Sequence, residues 1–197
     1  MKTILKKNII PTLGIFLCLI LTEPNALNAQ KIPVDKPVKL SSFNRIVVNG
    51  NVEVLLVQRP NVGINYQEDS EYKATVTQQG EKLCIKGPNN GLVAKVIVYI
   101  NNIYRIEAFD SSLIKADSRL NFKLFQIVSK DNAKVDIDVS TEGLYTDISD
   151  KSTLIIRGET DQHTLITKGT PKLLFNNFVV RKLDSRIKPE DALVRNK

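Results

Sequence analysis

From Phe43 onward, apolar and polar residues alternate with a period of two, the pattern of half-buried strands. Ile46 and Val48 alternate, then Val52, Val54 and Leu56. Between these runs lies Asn49-Gly50, which predicts a hairpin because both residues tolerate positive φ. Ala74 and Val76 continue the alternation, and Gln79-Gly80 predicts a second turn before Leu83 and Ile85. Pro88-Asn89-Asn90-Gly91 reads as a loop. The run Val96 to Ile100 is a more continuously apolar strand. No segment between residues 43 and 175 carries a helical period. The one helix candidate follows Pro189, with Glu190 and Asp191 in its first turn and Arg195 and Lys197 near its end.

The second half repeats. Ile114, Val135, Leu154 and Leu173 each follow a small polar turn, at intervals of 21, 19 and 19 residues. Two positions on stand Ala116, Ile137, Ile156 and Phe175. Asp110, Asp131 and Asp150 sit in the preceding turns, and Gly169 takes the equivalent place in the last unit. A second strand occupies each unit (Leu124 to Ile127, Leu144 to Ile148, Leu165 to Ile166), but its inward face is not assigned because the register slips between units. A repeat of this length fits one coil of a parallel β-solenoid, in which apolar residues stack into ladders and small polar residues turn the corners. An antiparallel β-sandwich, which also spaces short strands regularly, is the alternative.

The first 29 residues read as an address. Lys2, Lys6 and Lys7 precede an apolar stretch from Ile9 to Leu21, and Leu27-Asn28-Ala29 offers a cleavage site before Gln30. The expected organisation is a signal peptide over residues 1–29, an extended leader over 30–41, the β-solenoid domain over 42–175 and a C-terminal cap or tail over 176–197. Cleavage removes three Lys and Glu23, leaving 168 residues and lowering the net charge from +7 to +5. Cys18 leaves with the signal, so Cys84 is alone and forms no intramolecular disulfide; its apolar neighbours predict a buried, inert thiol. The expected location is the periplasm, the outer-membrane surface or the medium, with no transmembrane span in the mature chain.

The run Phe43-x-x-Ile46-x-Val48-x-Gly50-x-x-x-Val54-x-Leu56-x-Gln58 is similar to the opening strands of the head GIN domain family, secreted "putative autotransporter adhesin" proteins common in Bacteroidetes. Leu83 and Ile85 after Gly80 resemble its next hairpin, and Ile106-Glu107-Ala108 before Asp110-Ser111-Ser112 resembles its first repeated turn. The resemblance spans residues 41–175. It implies a right-handed β-helix-like fold with a hairpin-rich N-terminal part, an adhesin-like role and no catalytic residues. The chain departs from the family where Gly-Ala-Ser corners have become Phe109-Asp110-Ser111, Asp131-Asn132-Ala133 and Asp150-Lys151-Ser152.

Composition narrows the chemistry. With one His, two Cys and no Trp, the chain has little material for a metal site or acid–base catalysis, and neither metal nor cofactor is expected. The corner column of Asp110, Asp131 and Asp150 is a candidate ligand surface, although Asp is also a good turn residue. Asp136 and Asp138 alternate with Val135, Ile137 and Val139 and are expected to face solvent. His163 reads as a surface-loop residue. Arg181, Lys182, Arg186, Lys188, Arg195 and Lys197 crowd the last 17 residues. Of these, Arg181, Lys182 and Arg186 are the second candidate surface, suited to acidic surface glycans or other cell-envelope components rather than nucleic acid. Tyr66, Tyr72, Tyr99, Tyr104 and Tyr145 are candidates for stacking on sugar. The expected function is an exported, non-enzymatic binding or structural module. The alternative is an extracellular polysaccharide-active β-helix enzyme, which requires acidic and basic groups to converge in one groove.

Overall fold

The computed structural model describes residues 30–31, 40–66, 73–89 and 91–187. The predicted signal peptide, most of the leader, Tyr72 and the helix candidate behind Pro189 lie outside the described residues.

The chain is all-β. The first half contributes β1 (Gln30–Lys31), β2 (Arg45–Asn49), β3 (Val52–Gln58), β4 (Gly63–Tyr66), β5 (Thr75–Gln79), β6 (Lys82–Lys86) and β7 (Ala94–Ile100). The second half contributes β8 (Arg105–Ala108), β9 (Leu113–Ala116) and β10 (Leu120–Ser129), then three long strands, β11 (Lys134–Asp150), β12 (Thr153–Gly169) and β13 (Lys172–Ile187). All thirteen belong to one mixed sheet. Among the described residues nine strand pairings are parallel. Three are antiparallel: β1 with β5, β5 with β6, and β4 with β7. A two-sheet antiparallel sandwich is therefore not what forms.

The period of two becomes one shared core. The predicted column is present: Val96, Val54, Ile114, Val135, Leu154 and Leu173 pair in register across six strands. All but Leu173 are fully buried, each such side chain worth about 1.5–3 kcal/mol of apolar burial. A second column runs through Leu83, Ile46, Ile106 and Ile127 and continues into Thr146 and Leu165.

The long strands bend where their alternation slips. In β11, Val135, Ile137, Val139 and Thr141 face in, Glu142 and Gly143 both face out, and Leu144, Thr146 and Ile148 face in again. β10 does the same at Lys123-Leu124 and β12 at Asp161-Gln162. Two outward residues in succession make a corner, and this is why the sequence register slipped there. The sheet curls around these corners, so both halves of β10 and of β11 contribute to the same core.

The other corner carries the aspartates. Asp110, Asp131 and Asp150 have φ of 58°, 59° and 61°, left-handed values that Asp tolerates better than most residues. Gly50 (φ 78°) and Gly169 (φ 77°) continue the series. Asn49-Gly50 is therefore a corner and not a hairpin: β2 pairs with β6 and β8, and β3 with β7 and β9. The Gly50 amide donates to Asp110 Oδ2 (2.9 Å) and the Gly87 amide to the Asn49 carbonyl (2.8 Å), so the turn is stapled on both sides. Gln79-Gly80 does close the hairpin of β5 and β6.

One further expectation changes. Cys84 is half-buried and faces away from the core, because Leu83 and Ile85 take the inward positions of β6. Residues 176–187, given to a cap or tail, continue β13, which pairs with β12 through Ile187.

Candidate functional site

The column of aspartates is assembled as predicted, and its carboxylates are engaged with backbone. Asp110 N–H donates to Asp131 Oδ2 (3.0 Å), and Asp131 N–H donates to Asp150 Oδ2 (3.1 Å). Each carboxylate thus satisfies the amide of the preceding corner, one level back. The Asp131 amide and the Ser149 hydroxyl (2.9 Å) hold the Asp150 carboxyl below the usual carboxylate range. Asp136 and Asp138 lie on the outer face, where they bind Arg157 of β12 (2.7 Å) and Arg119, just before β10 (2.7 Å).

A concave feature of the surface lies beside the opposite corner. A polar groove of 540 Å³ runs across β10 to β13, perpendicular to the strands. One wall is a paired column of Asn121, Ser140, Glu159 and Val179. The other is formed by the first outward corner residues Lys123, Glu142 and Asp161, with Arg181. Phe122, Thr141 and Thr160 form the floor, where the two hydroxyls bond each other at 2.9 Å. Neighbouring levels neutralise much of the charge: Lys123 with Glu142 at 3.9 Å, and Arg181 with Asp161 at 3.3 Å. Glu159 accepts from Ser140 Oγ at 3.4 Å. Asn102 joins the lining, and Gln58 braces Asn121, its side-chain amide bonded to both the N–H (2.8 Å) and the carbonyl (2.9 Å) of Asn121.

Around the corner is a shallower shelf of 200 Å³ built on Leu124, Gly143 and Tyr145, with Gln126, Gln162 and Thr164 beside them. The Leu124 side chain lies over Gly143, where a Cβ would come within 2.8 Å of Leu124 Cδ2. Of the tyrosines named from sequence, Tyr145 stands on this shelf. Tyr66 bonds the Ala74 carbonyl, Tyr99 stacks under Arg59 (3.0 Å), and Tyr104 is exposed.

The basic candidates divide. Arg181 belongs to the groove. Lys182 and Arg186 lie on exposed β13, Arg186 bonded to Asp184 at 2.8 Å, which raises its pKa. Lys188, Arg195 and Lys197 lie outside the described residues. The column of Asp110, Asp131 and Asp150 and the basic side chains of β13 do not meet.

His163 is not on a surface loop. It is 1% exposed in β12, paired in register between Leu144 and Leu183. Its Nε2 lies 2.9 Å from Thr146 Oγ1, while Nδ1 is buried without a partner. The rings of Phe175 and Phe178 meet it edge-on at 6.1 and 5.7 Å. This burial lowers its pKa to about 4. Among the described residues no three His, Cys, Asp or Glu side chains gather to hold a metal ion. Nor is any helix there long and apolar enough to cross a membrane.

The groove was missed from sequence because its residues are individually ordinary. The available signal was their spacing: Lys123, Glu142 and Asp161 recur at the interval of the repeat.

A family profile described as "Putative auto-transporter adhesin, head GIN domain" matches residues 42–190. A crystal structure of a putative adhesin from Bacteroides fragilis is similar, with a TM-score of 0.68 at 14% identity over 78% of this chain and 75% of that one. A putative adhesin from Parabacteroides merdae gives 0.52 at 17% identity over 78% of each chain. A structure from Parabacteroides distasonis, described as a putative lipid binding protein, gives 0.53 at 13% identity over 77% of each. At these identities the likeness is one of fold. Among curated proteins, none matches.

Proposed function

Because the chain belongs to the "Putative auto-transporter adhesin, head GIN domain" family, we propose that it is an exported, non-enzymatic binding module of the cell envelope. In this reading residues 1–29 are removed as a signal peptide, 30–41 form a leader, 42–175 carry the domain, and the remainder caps the stack. The winding is that of a right-handed β-helix-like solenoid, with the antiparallel strands covering its N-terminal levels. Its partners are surface glycans or other envelope components, met by the outer face of β10 to β13, including Arg181, Lys182 and Arg186. Asp110, Asp131 and Asp150 hold the corners.

The observation that carries the reading is the character of the groove: open, shallow and lined by side chains that repeat level by level. The enzyme alternative needs acidic and basic groups to converge in one groove; Lys123, Glu142, Asp161 and Arg181 do converge here, but as exposed ion pairs and without the apolar surrounding that would keep one carboxyl protonated. The Glu142 and Asp161 side chains are 64% and 50% exposed, and each already faces a cation. That favours recognition over turnover.

Two measurements test the proposal. The purified mature chain is expected to be retained on a glycan array and on envelope fractions of its host without releasing product; product release from any polysaccharide overturns the non-enzymatic reading. Mass spectrometry of the native protein is expected to find Gln30 at the N-terminus in an envelope or secreted fraction. An intact residue 1 in the cytosolic fraction overturns export.

A further inference from the structure

The groove beside the Lys123, Glu142 and Asp161 corner has a direction, a period and a charge balance. It runs across the strands, so its lining repeats at the inter-strand spacing of about 4.8 Å, close to the length of one pyranose unit in an extended polysaccharide. We propose that it binds a linear, uncharged polysaccharide chain lying across β10 to β13, one sugar unit per strand. This rests on the binding-module reading and names the ligand class and the site.

The chemistry follows from the lining. Carboxylates accept two hydrogen bonds side by side from neighbouring sugar hydroxyls, and here they stand on two adjacent strands, Glu142 on β11 and Glu159 and Asp161 on β12. Donors stand opposite in Arg181 and the Asn121 amide. Val179, 63% exposed, gives the C–H face of a ring something apolar to cover. An acidic polymer fits poorly. Lys123 and Arg181 are matched by Glu142 and Asp161, and Arg119, whose charge also acts with that of Glu159, is bonded to Asp138 at 2.7 Å. The balance leaves one carboxylate in excess, which repels an anion. An open trough also suits a chain that enters at one end and leaves at the other. Pockets for small molecules instead enclose most of the ligand surface. Around the corner, Tyr145, paired between Gln126 and Thr164, offers an aromatic face with a flanking amide and hydroxyl, a second place for a sugar ring on the chain or a branch.

The test uses uncharged cello- and chito-oligosaccharides of two to six units, with polygalacturonate as the anionic comparison, titrated calorimetrically against the full mature chain. Affinity is expected to rise with length up to about four units, set by four strands at the inter-strand spacing, and to be unchanged by salt. Ser140→Trp, which fills the groove, and Glu159→Ala, which removes the excess carboxylate, should each weaken binding at least about tenfold, roughly 1.4 kcal/mol. Tyr145→Ala should weaken it several-fold, and Lys86→Ala, at the exposed end of β6 away from the groove, should leave it unchanged. Thermal melts confirm that each variant is folded, and Glu159→Ala keeps the test alive if the Trp variant is not. Failure of every uncharged oligosaccharide to bind at millimolar concentration overturns the inference, as does binding indifferent to both groove variants. Salt-sensitive binding of polygalacturonate lost in Arg186→Ala would also overturn it, yet leave the binding-module reading standing. Release of shorter oligosaccharides would instead defeat that reading.

Discussion

Burying His163 neutral makes the protein sensitive to acid in a way one substitution should remove. The ring is 1% exposed, has one polar partner at 2.9 Å, and is pressed by two Phe rings. Its pKa falls from 6.5 to about 4 on folding. The unfolded chain therefore binds the proton more readily, and stability falls with pH through the window from 6.5 down to about 4, then levels off. Linkage gives a loss of about 1.4 kcal/mol by pH 5.5 and about 2.5 kcal/mol by pH 4.5, relative to neutral pH. The control is His163→Leu, which matches Leu144 and Leu183 on either side in the column. Its Thr146 hydroxyl loses a partner, but that cost is the same at every pH. Urea unfolding of both proteins between pH 7.5 and 4.5 isolates the His163 contribution, because the titrating carboxylates are common to both. The difference in unfolding free energy should shift toward the Leu variant by about 2.5 kcal/mol across that range. A difference that stays flat within about 0.3 kcal/mol would refute the reasoning, since linkage requires it to move with the proton.

The corner column yields a graded series at Asp131. Asp131→Asn should cost least, because Asn tolerates the left-handed backbone and its amide oxygen can accept from Asp110. Asp131→Gly loses that bond at about 1 kcal/mol, and Asp131→Ala adds a backbone penalty of about 1 kcal/mol or more; urea midpoints in the order Asn, Gly, Ala check this, and equal midpoints would contradict it. In acid, the Asp150 carboxyl, whose pKa is lowered in the fold, contributes stability present above the unfolded carboxylate range and lost as pH falls through its folded value. Gly158→Ala should be severe: φ is 99°, and a Cβ would lie 2.0 Å from the Val139 carbonyl oxygen. A loss of about 3 kcal/mol or more in thermal or urea unfolding is expected, and a near-neutral result would count against the close approach of β11 and β12.

How far this architecture is legible in the sequence depends on the face. The column of Ile114, Val135, Leu154 and Leu173 announces itself because every member is aliphatic and the interval barely changes. The second face is obscured because its inward positions include Thr146 and His163, polar residues satisfied or tolerated inside. Some apolar residues there, such as Leu124, point out. Asn49-Gly50 shows the limit of local turn chemistry: the dipeptide specifies a positive φ, but only the long-range bond to Asp110 decides that the chain turns a corner instead of folding back. The aspartates were legible as turn residues, whereas their reach to the amide one level away depends on stacking. The groove is a further step removed. No residue in it is unusual, and it exists only because positions 19 apart come to lie side by side.

The corner bonds all point the same way: each carboxylate serves the level before it, from Asp150 to Asp131 to Asp110 to Gly50. Each level of the second half thus leans on its neighbour alone. Mechanically this makes a zip that opens from the β13 end. Tension applied along the stack from the β13 end peels levels one at a time, and the resisting force saturates at the strength of a single level. A tether built this way extends in steps under load, with the N-terminal levels giving way last.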